Sequence, residues 1–463
     1  MNFLSKLEFG EINKKQNYII LIIILLSWSH QWLSIGSFIN TAYNDFSLSS
    51  ILAYRNQSLS IFVVNIFILI FNKKKNTENS IYFYFFLISI SYLLGLVNLS
   101  IDTPSEKNIG FFYHLTFVVQ MINTLLILNN LSKITGVDEA IFLKINLLVI
   151  FIYVIINLIS YNFDTFTFNY NINFLHFKIA TNVNGISRIF CILNIFITCH
   201  YFVKKEKDFV KKEKDFVKKE KAKHFFLLFI IIIINFLIIT TESRQGFALT
   251  TIQLIVIIFL CCKKNEYIKK TIKYFFLLII IPLSLSFFLK KDLGHNRILM
   301  FQGDMKSTTV IKDSSSSPIL MKLDSVDRFT TGRLDKWIRA STHIINSKIK
   351  NILFGNGQEF DRKIEAARGA GDVANGMLYV FLCGGMLGLF SFFVLMKKFL
   401  KIILYAFYNK KKLNTDVYFC FSIVCIISLT LRTFIENGFL AYGVDFLIIT
   451  SSIFYAIKKL KLI

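Results

Sequence analysis

Proline, acidic residues and nucleotide-binding motifs are scarce or absent in this sequence. Only 3 of 463 residues are proline, whereas 51 are phenylalanine and 54% are hydrophobic, which is unusual for a soluble domain. The chain has no Walker motif, glycine-rich phosphate loop or HExxH pair, so ATP-driven and zinc-driven chemistry has no support. The first apolar run lacks a small-residue cleavage site, and we expect it to remain as an anchor.

Long apolar runs dominate what is present. Windows of about 17–25 apolar residues are typical of transmembrane helices, and these runs lack the alternation of a membrane β-barrel. We predict an all-α polytopic membrane protein with about twelve transmembrane helices and one large, partly helical outer loop. The predicted spans are roughly 17–36, 52–72, 80–99, 109–131, 140–160, 186–203, 225–242, 247–262, 273–289, 375–396, 416–434 and 440–457.

The basic residues indicate topology rather than nucleic-acid binding. The formal net charge is +24, and the excess is concentrated in alternate connections. This is the positive-inside pattern, which predicts cytoplasmic termini, an outer polar island at 290–372 and the lipid bilayer as partner, with anionic lipids as a secondary contact. The basic connections lie at 14–15, 73–75, 204–223, 263–273, 397–412 and 458–461.

The polar island divides the chain into three parts. We predict transmembrane helices 1–9 within 1–289, the large outer loop at 290–372, and transmembrane helices 10–12 within 373–463. All seven cysteines fall in predicted spans or at their cytoplasmic ends. The outer loops contain none, so no disulfide or zinc site is predicted there.

A seven-residue repeat, KKEKDFV, occurs at 204–210 and 211–217, and a third copy begins at 218. Its two apolar residues are adjacent and flanked by charge, which disfavours a coiled coil. A basic cytoplasmic helix or linker is the favoured interpretation of the repeat at 204–221, and partner or lipid-surface binding is the alternative.

The segment 161–174 carries aromatic side chains at partly alternating positions. The spacing predicts a short strand or hairpin on the membrane surface. An aromatic interface belt and a platform for stacking sugars are the two interpretations.

The stretch that begins at Arg333 predicts an amphipathic outer helix lying across the bundle and ending near the turn sequence at 354–357. Apart from its apolar residues, the helix has another face that is shared by Arg333, Lys336, Ala340 and His343. The apolar residues that recur near helical spacing are Leu334, Trp337, Ile338, Ile344 and Ile345.

The turn between the seventh and eighth predicted spans contains Glu242, Ser243 and Arg244. A charged pair between two nearly pure apolar helices is costly and usually functional. The planar guanidinium of Arg244 suits phosphate oxygens. The alternative is an arginine that reaches lipid headgroups and pairs with Glu242.

Two further arginines are candidates for binding anions. Arg188 lies one turn into the sixth span, after Asn184, and faces the bundle interior or the interface. Arg333 and Trp337 are four residues apart, so one cation can lie beside one aromatic ring, which suits a phosphate next to a sugar. The alternative for this pair is a solvated helix face.

Other charged residues near the outer side give weaker signals. His343 shares the helix face of Arg333, although a packed or interfacial histidine is the more ordinary interpretation. Arg432 and Glu436 lie at the last outer turn, where a structural ion pair is expected.

A set of motifs in the second half of the chain occurs in a recognisable order. It consists of Ser243 and Arg244 between two helices, Arg333 and Trp337 in the large loop, the turn at 354–357, and Asn375 followed by Gly385 and Gly388. In this order the chain resembles the superfamily of Wzy-type O-antigen polymerases and O-antigen ligases. The ligases have histidine where this chain has Ala374, so the resemblance favours a polymerase.

This resemblance implies a metal-independent glycosyltransferase of the bacterial inner membrane, with the island at 290–372 in the periplasm and no cofactor. It would transfer a growing glycan from undecaprenyl diphosphate to a new undecaprenyl-diphosphate-linked oligosaccharide. A chain-length regulator is a further expected partner.

Such a transfer needs cations that neutralise the leaving diphosphate, and a base or close positioning for the acceptor hydroxyl. The cations assigned to the diphosphate are Arg244 and Arg333, with Arg188 or Arg339 as a second cation. The candidate bases are Glu242, His343 and Asp372. Trp337, Asn184 and Asn375 complete the predicted substrate-binding set.

An O-antigen ligase that transfers polymer to the lipid A core is the alternative enzyme. A lipid-linked oligosaccharide flippase or a secondary transporter is the alternative of another class. Either transporter is expected to show two similar halves and a charged central cavity, whereas this sequence has no obvious repeat of halves.

Overall fold

The computed structural model describes the residues on which the following account rests, namely 18–35, 48–71, 80–102, 107–134, 137–159, 161–162, 167–168, 183–210, 216–241, 243–262, 267–289, 333–357, 360, 375–436 and 438–460. Two predicted site residues, Glu242 and Asp372, lie outside the described residues, as does most of the island. For Asn184 and Arg244 the structure describes the backbone but not the side chain.

The described chain is almost entirely helical, as the apolar runs predict. The helices before the island are α1 (Tyr18–Ile35), α2 (Leu48–Phe71), α3 (Ser80–Asp102), α4 (Lys107–Ser132), α5 (Ile141–Ile159), α6 (Val183–Val210), α7 (Phe216–Thr240), α8 (Arg244–Cys261), α9 (Tyr267–Phe275) and α10 (Ile281–Leu289). A π-helical turn, Phe276–Ile280, joins α9 to α10. The first copy of the basic repeat continues α6, and α7 begins within the second.

The second half begins with two helices of the island. They are α11 (Arg333–Ile345) and α12 (Ile349–Phe354), followed by α13 (Gly376–Tyr408), α14 (Lys410–Leu413), α15 (Val417–Thr433), a 3-10 turn (Gly438–Leu440) and α16 (Val444–Leu460).

The chain is an all-α membrane protein. Among the described residues, seven helices are long and apolar enough to cross a bilayer: Tyr18–Ile35, Ile81–Asn98, Leu115–Ser132, Ile141–Ile159, Gly185–Lys204, Ala222–Thr240 and Gly376–Tyr408. Shorter apolar helices cover Gln57–Ile70, Gln245–Cys261 and Val417–Thr433. A helix coincides with each of the twelve predicted segments, but the count of twelve crossings remains a prediction.

Aromatic side chains fill the centre of the bundle where α3, α13 and α16 meet. The ring of Phe85 on α3 lies 6.0 Å from that of Phe399 on α13 and 5.7 Å from that of Phe446 on α16. All three side chains are fully buried. Burial of such rings contributes strongly to packing, and edge-to-face contacts add to it.

A short hairpin follows α5. Tyr161–Asn162 pairs antiparallel with Thr167–Phe168, with Tyr161 opposite Phe168. The predicted hairpin is therefore confirmed at these four residues, while the other aromatic residues of 161–174 lie outside the described part of the chain. Tyr161 is buried, and burial raises the pKa of its hydroxyl. It packs into the protein rather than facing lipid.

The predicted outer helix is present as α11, but two expectations about it were wrong. Ile338 is 46% exposed and Ile345 is 77% exposed, so both point away from the bundle. The buried residue is Ala340, which packs against Leu382 of α13. A small side chain at the contact lets the two helices approach closely, and of the predicted apolar residues Trp337 and Ile344 pack around this pair. The helix also ends at Ile345, and the separate α12 carries the chain to the predicted turn.

Helix α13 is interrupted at Gly385, whose backbone has φ 61° and ψ −155°. The interruption frees the carbonyl groups of the preceding turn. The amides of Asn356 and Gly357 donate to the Leu382 and Cys383 oxygens at 2.9 Å each. The turn after α12 therefore docks on α13 through backbone hydrogen bonds.

Candidate functional site

Several helix ends meet at one end of the bundle and bring charged side chains together. We call Arg188, Arg333, Arg432, Glu436 and Asp445 the charged cluster. Helix α6 packs on α8 and α15, and α15 packs on α16. The cluster lies near the starts of α6, α8, α11 and α16 and near the end of α15. Basic stretches of the sequence follow the opposite ends of α6, α8 and α16.

Local sequence explains why α6 and α8 approach closely here. Ser243 caps α8, and its Oγ accepts a hydrogen bond from the Gly246 amide at 3.1 Å. A Cβ atom at Gly246 would lie 2.8 Å from the side chain of Ser187, so only glycine allows this contact without rearrangement. The close approach places Gln245 of α8 beside the charged cluster.

Arg432 is the centre of the cluster. Its Nη1 donates to Asp445 Oδ2 at 2.8 Å, and its Nη2 donates to Glu436 Oε2 at 2.6 Å. The side chains of Arg432 and Asp445 are only 4% and 1% exposed. The expected pairing of Arg432 with Glu436 is therefore confirmed, and a second carboxylate on the next helix accompanies it.

Gln245 completes the surroundings of Arg432. With its amide oxygen turned towards the guanidinium, Gln245 accepts from Arg432 Nε at 3.0 Å and donates to Glu436 Oε1. All three nitrogens of Arg432 then make a hydrogen bond to a protein group, which fixes the orientation of its guanidinium. Its role is to hold the carboxylates in place.

Arg188 and Arg333 occupy the rim of the cluster. Arg188 Nη1 lies 3.6 Å from Asp445 Oδ2, and Arg333 Nη2 lies 3.7 Å from Glu436 Oε1. Their side chains are 23% and 24% exposed, unlike that of Arg432. Both ion pairs are longer than ordinary hydrogen bonds, so each guanidinium keeps donors for another anion.

The described cluster carries an excess of positive charge, with three guanidinium groups against two carboxylates. Asp445 Oδ1 and Arg188 Nε are buried and have no hydrogen-bond partner among the described residues. Buried polar atoms are normally satisfied. Arg188 Nε is a donor and suits an anion or ordered water, whereas Asp445 Oδ1 is an acceptor and suits ordered water or another donor. The helix starts nearby also favour an anion, because α8 and α16 begin beside Gln245 and Asp445.

Glu436 is held in its ionised form. Burial alone would raise the pKa of its carboxyl, but the charges of Arg432, Arg188 and Arg333 outweigh that effect and lower the pKa below its usual value. A carboxylate stabilised in this way is a weak base. Glu436 therefore serves to position Arg432 and Arg333 rather than to accept a proton.

The structure brings some predicted site residues together. Arg188 and Arg333 are members of the charged cluster, and Arg244 begins α8 one residue before Gln245. Asn375 lies at the neighbouring start of α13. Its Oδ1 accepts from the Leu378 amide at 3.1 Å, and its Nδ2 donates to the Phe434 carbonyl at 3.3 Å. These bonds give Asn375 a structural role in fastening α13 to the end of α15.

Other predicted residues lie along α11. Trp337 shares the packed face of Arg333 and contacts the Ala340–Leu382 pair, while Arg339 is half-buried on the same helix. His343 lies about 15 Å along the helix from Arg333, given ~1.5 Å per residue, and its ring is 5.3 Å from that of Phe360. Burial lowers the pKa of His343, so the histidine is neutral at neutral pH. The structure does not bring it into the cluster.

Asp445 is the residue that sequence reasoning missed. It is the sole charged residue within the predicted span 440–457. Ionisable residues within apolar helices are rare and usually functional, so this signal was available. Gln245 gave no comparable signal, because its importance depends on the contact between α6 and α8.

Comparisons with family models, curated proteins and solved structures found no match to this chain. The evidence on function therefore rests on the residues and on their arrangement.

Proposed function

We propose that the chain is an O-antigen polymerase of the Wzy type, or a closely related surface-polysaccharide polymerase. It joins undecaprenyl-diphosphate-linked repeat units on the periplasmic face of the bacterial inner membrane. The bond between the glycan's anomeric carbon and the diphosphate oxygen breaks, and a new bond forms to an acceptor hydroxyl. Undecaprenyl diphosphate leaves, and the hydroxyl proton is released.

The observation that carries this proposal is the charged cluster at the end of an otherwise apolar bundle. A lipid-linked diphosphate presents its charge at the membrane surface while its polyprenyl chain stays in the bilayer. Partly exposed guanidiniums at a helix-rich surface suit that geometry and would stabilise the charge that develops on the leaving diphosphate. Arg188 and Arg333 supply them. We assign Arg244, whose backbone begins α8, to the same diphosphate.

The distribution of basic residues supports a periplasmic location for the charged cluster. The cluster lies at the ends of α6, α8 and α16 that are remote from the basic connections, and under the positive-inside rule this supports a periplasmic location. In the full proposal the chain crosses the membrane twelve times, both termini are cytoplasmic, and 290–372 is a periplasmic loop that brings Arg333 to the cluster.

The proton acceptor is a separate question. Glu242 and Asp372 remain candidates for the base, whereas the position of His343 on α11 disfavours it. Close positioning of the acceptor hydroxyl can also supply much of the rate.

The test is complementation of a strain from which the gene has been deleted. Lipopolysaccharide gels of the deletion strain should show core capped by a single repeat unit. Arg244→Ala and Arg333→Ala should each fail to restore long chains, while Lys397→Ala on the opposite end of α13 should restore them, with equal protein levels on immunoblots. If both arginine variants restored full-length polysaccharide, the assignment would be wrong.

The same deletion strain separates the alternatives. Free lipid-linked polymer that is not attached to lipid A core would indicate a ligase. Absence of any repeat unit on the periplasmic side would indicate a flippase.

A further inference from the structure

Helix α12 has an unusual surface for part of an extramembrane loop. None of its residues is buried, although it packs on α3 and α13. Ile349 is 77% exposed, Leu353 47% and Phe354 45%, and Ile345 just before it is 77% exposed. Such a contiguous apolar surface marks a contact with another apolar phase.

The two helices on which α12 packs also carry exposed apolar side chains. On α13, Met386 is 48% exposed and Phe390 is 62% exposed, and on α3, Val97 is 45% exposed. Both helices contain windows that are long and apolar enough to cross a membrane. The exposed side of α12 therefore extends the surface that these two helices present to the bilayer.

The turn after α12 contacts Leu382 and Cys383 of α13, which lie beyond the first turn of that helix. Roughly fourteen residues, or ~21 Å of helix at ~1.5 Å per residue, separate Cys383 from Lys397. Lys397 and Lys398 begin the basic stretch that marks one membrane boundary. Against a hydrocarbon thickness of about 30 Å, the Cys383 carbonyl lies about 9 Å inside the opposite boundary.

Helix α3 places the same turn at a similar depth. A Cβ atom at Gly95 would lie 2.5 Å from the Cys383 carbonyl oxygen and would also clash with the Gly357 backbone. Gly95 lies three residues, or roughly 4.5 Å, inside the apolar window Ile81–Asn98. On both helices the residues that contact 355–357 therefore lie within the apolar span rather than beyond its end.

Irregular backbone is tolerated at this depth only where protein satisfies its polar groups. The break at Gly385 supplies this, because the freed carbonyls accept from the Asn356 and Gly357 amides. The Gly355 carbonyl accepts from Asn98 Nδ2 at 3.0 Å, and the same nitrogen donates to Asn351 Oδ1 at 2.8 Å. Asn356 Nδ2 donates to the Leu382 carbonyl at 3.3 Å.

The charged residues of α12 lie only at its start. Lys348 and Lys350 lie at the start of α12, where they can reach headgroups, and no residue from 351 to 357 is charged. The helix is therefore basic at its shallow end and apolar at its deep end.

We infer that 348–357 is a re-entrant segment, in which α12 enters the bilayer and its Ile349, Leu353 and Phe354 side chains contact lipid acyl chains. The segment returns through the turn held in the break of α13. It anchors the end of α11 in the membrane, so that the helix carrying Arg333 lies along the membrane surface. This inference requires only that α3 and α13 span a membrane, and it is independent of the proposed enzymatic activity.

Spin labelling of the full chain in liposomes tests it. Nitroxides are attached to Leu353→Cys and Phe354→Cys, and their collisions with oxygen, which concentrates in hydrocarbon, are compared with those of a water-soluble nickel chelate. Phe390→Cys on α13 is the lipid control, and Thr415→Cys, exposed in the turn before α15, is the aqueous control. The seven native cysteines are buried, which limits background labelling.

We expect both α12 labels to lose nickel collisions and to match Phe390→Cys in oxygen collisions. Nickel accessibility equal to that of Thr415→Cys would overturn the inference. Should labelling perturb the fold, Phe354→Trp in liposomes of brominated phospholipid provides a second measurement. Its added fluorescence over wild type should be quenched by bromines within the acyl chains, and unquenched fluorescence would refute insertion.

The docking turn can be tested on the same labelled chain. Gly385→Leu would drive a side chain into the Leu353 carbonyl, since a Cβ there would lie 2.5 Å from that oxygen. The Phe354→Cys label should then become accessible to the nickel chelate. A label that stayed inaccessible would show that the break in α13 does not hold the segment in the bilayer.

Discussion

Arg432 and Asp445 form a buried ion pair between the last two long helices, with Nη1 and Oδ2 2.8 Å apart. Both side chains are almost fully excluded from solvent, and Asp445 has a second carboxylate oxygen without a hydrogen-bond partner among the described residues. A buried pair of this kind is weak evidence for stability in itself, because desolvation offsets much of the attraction. Its value lies in fixing charges where Arg188 and Arg333 can join them.

Removal of one member of the buried pair should be strongly destabilising. Asp445→Ala removes one partner of the buried Arg432 guanidinium. We expect the free energy of unfolding to fall by about 3–5 kcal/mol. Thermal unfolding in detergent, followed by size-exclusion chromatography, measures it. The matched control is Lys144→Ala, which removes a pair with Asp138 whose side chains are about half exposed. It leaves the bond from the Ala140 amide to Asp138 Oδ1 in place and should cost less than about 1 kcal/mol. Equal melting temperatures for the two variants would contradict the prediction.

Arg333 should matter for transfer more than for folding. Its side chain is partly exposed, and Glu436 keeps Arg432 as partner after Arg333→Ala. We expect an unchanged melting temperature and a rate of polymer formation from purified lipid-linked repeat units that is lower by about 10²–10³-fold. Arg333→Lys should recover part of the rate, because it retains charge but not the planar fork. A full rate in Arg333→Ala would show that Arg333 does not contact the diphosphate.

Acid should remove the contribution of Glu436 to stability. Its pKa is lower in the folded chain than in the unfolded chain, so its contribution is fully present above the unfolded value of roughly 4.3. The contribution is lost as pH falls through the lower, folded value. The melting temperatures of wild type and Glu436→Gln should therefore differ at pH 7 and converge below about pH 4. A difference that stayed constant across this range would exclude a stabilising ionised Glu436.

His343 should affect stability at a higher pH than Glu436 does, and its replacement should leave glycan transfer intact. Burial lowers its pKa, so protonation opposes folding once pH falls below the unfolded value of about 6.5. We expect His343→Phe to reduce the loss of stability that follows acidification below about pH 6.5, and to retain polymer formation. Loss of polymer in a well-folded His343→Phe variant would instead restore histidine as a candidate base.

Gly385 should tolerate no side chain. Its φ of 61° with ψ of −155° is unfavourable for any other residue, and Gly385→Ala would also crowd the Leu353 carbonyl. We expect the free energy of unfolding of Gly385→Ala to fall by roughly 1–3 kcal/mol, which would appear as a lower melting temperature. Gly443→Ala is the matched control, because nothing lies within 4 Å of a Cβ built at that position. Destabilisation by both variants to the same extent would contradict the argument from the break in α13.

Sequence reasoning located some parts of the site and not others. Arg188 was identified because a cation within an apolar span stands out, and Arg333 because it lies four residues before Trp337 on a predicted outer helix. Asp445 was available from the same rule and was missed. Gln245 could not be identified, since its partners Arg432 and Glu436 are almost two hundred residues away in the sequence. Pairing over such distances depends on how helices pack, which periodicity does not report.

The sequence by itself determined that this is an all-helical membrane protein, because long apolar runs can satisfy their backbone in a bilayer only as helices. It also indicated which helix ends carry cations. Only the tertiary structure decided that Arg188, Arg333 and Arg432 share two carboxylates, that Ala340 rather than Ile338 faces the bundle, and that Gly385 opens α13 to receive the turn after α12. These outcomes depend on steric fit and on hydrogen-bond partners far apart in the chain, and both arise only when the helices are packed together.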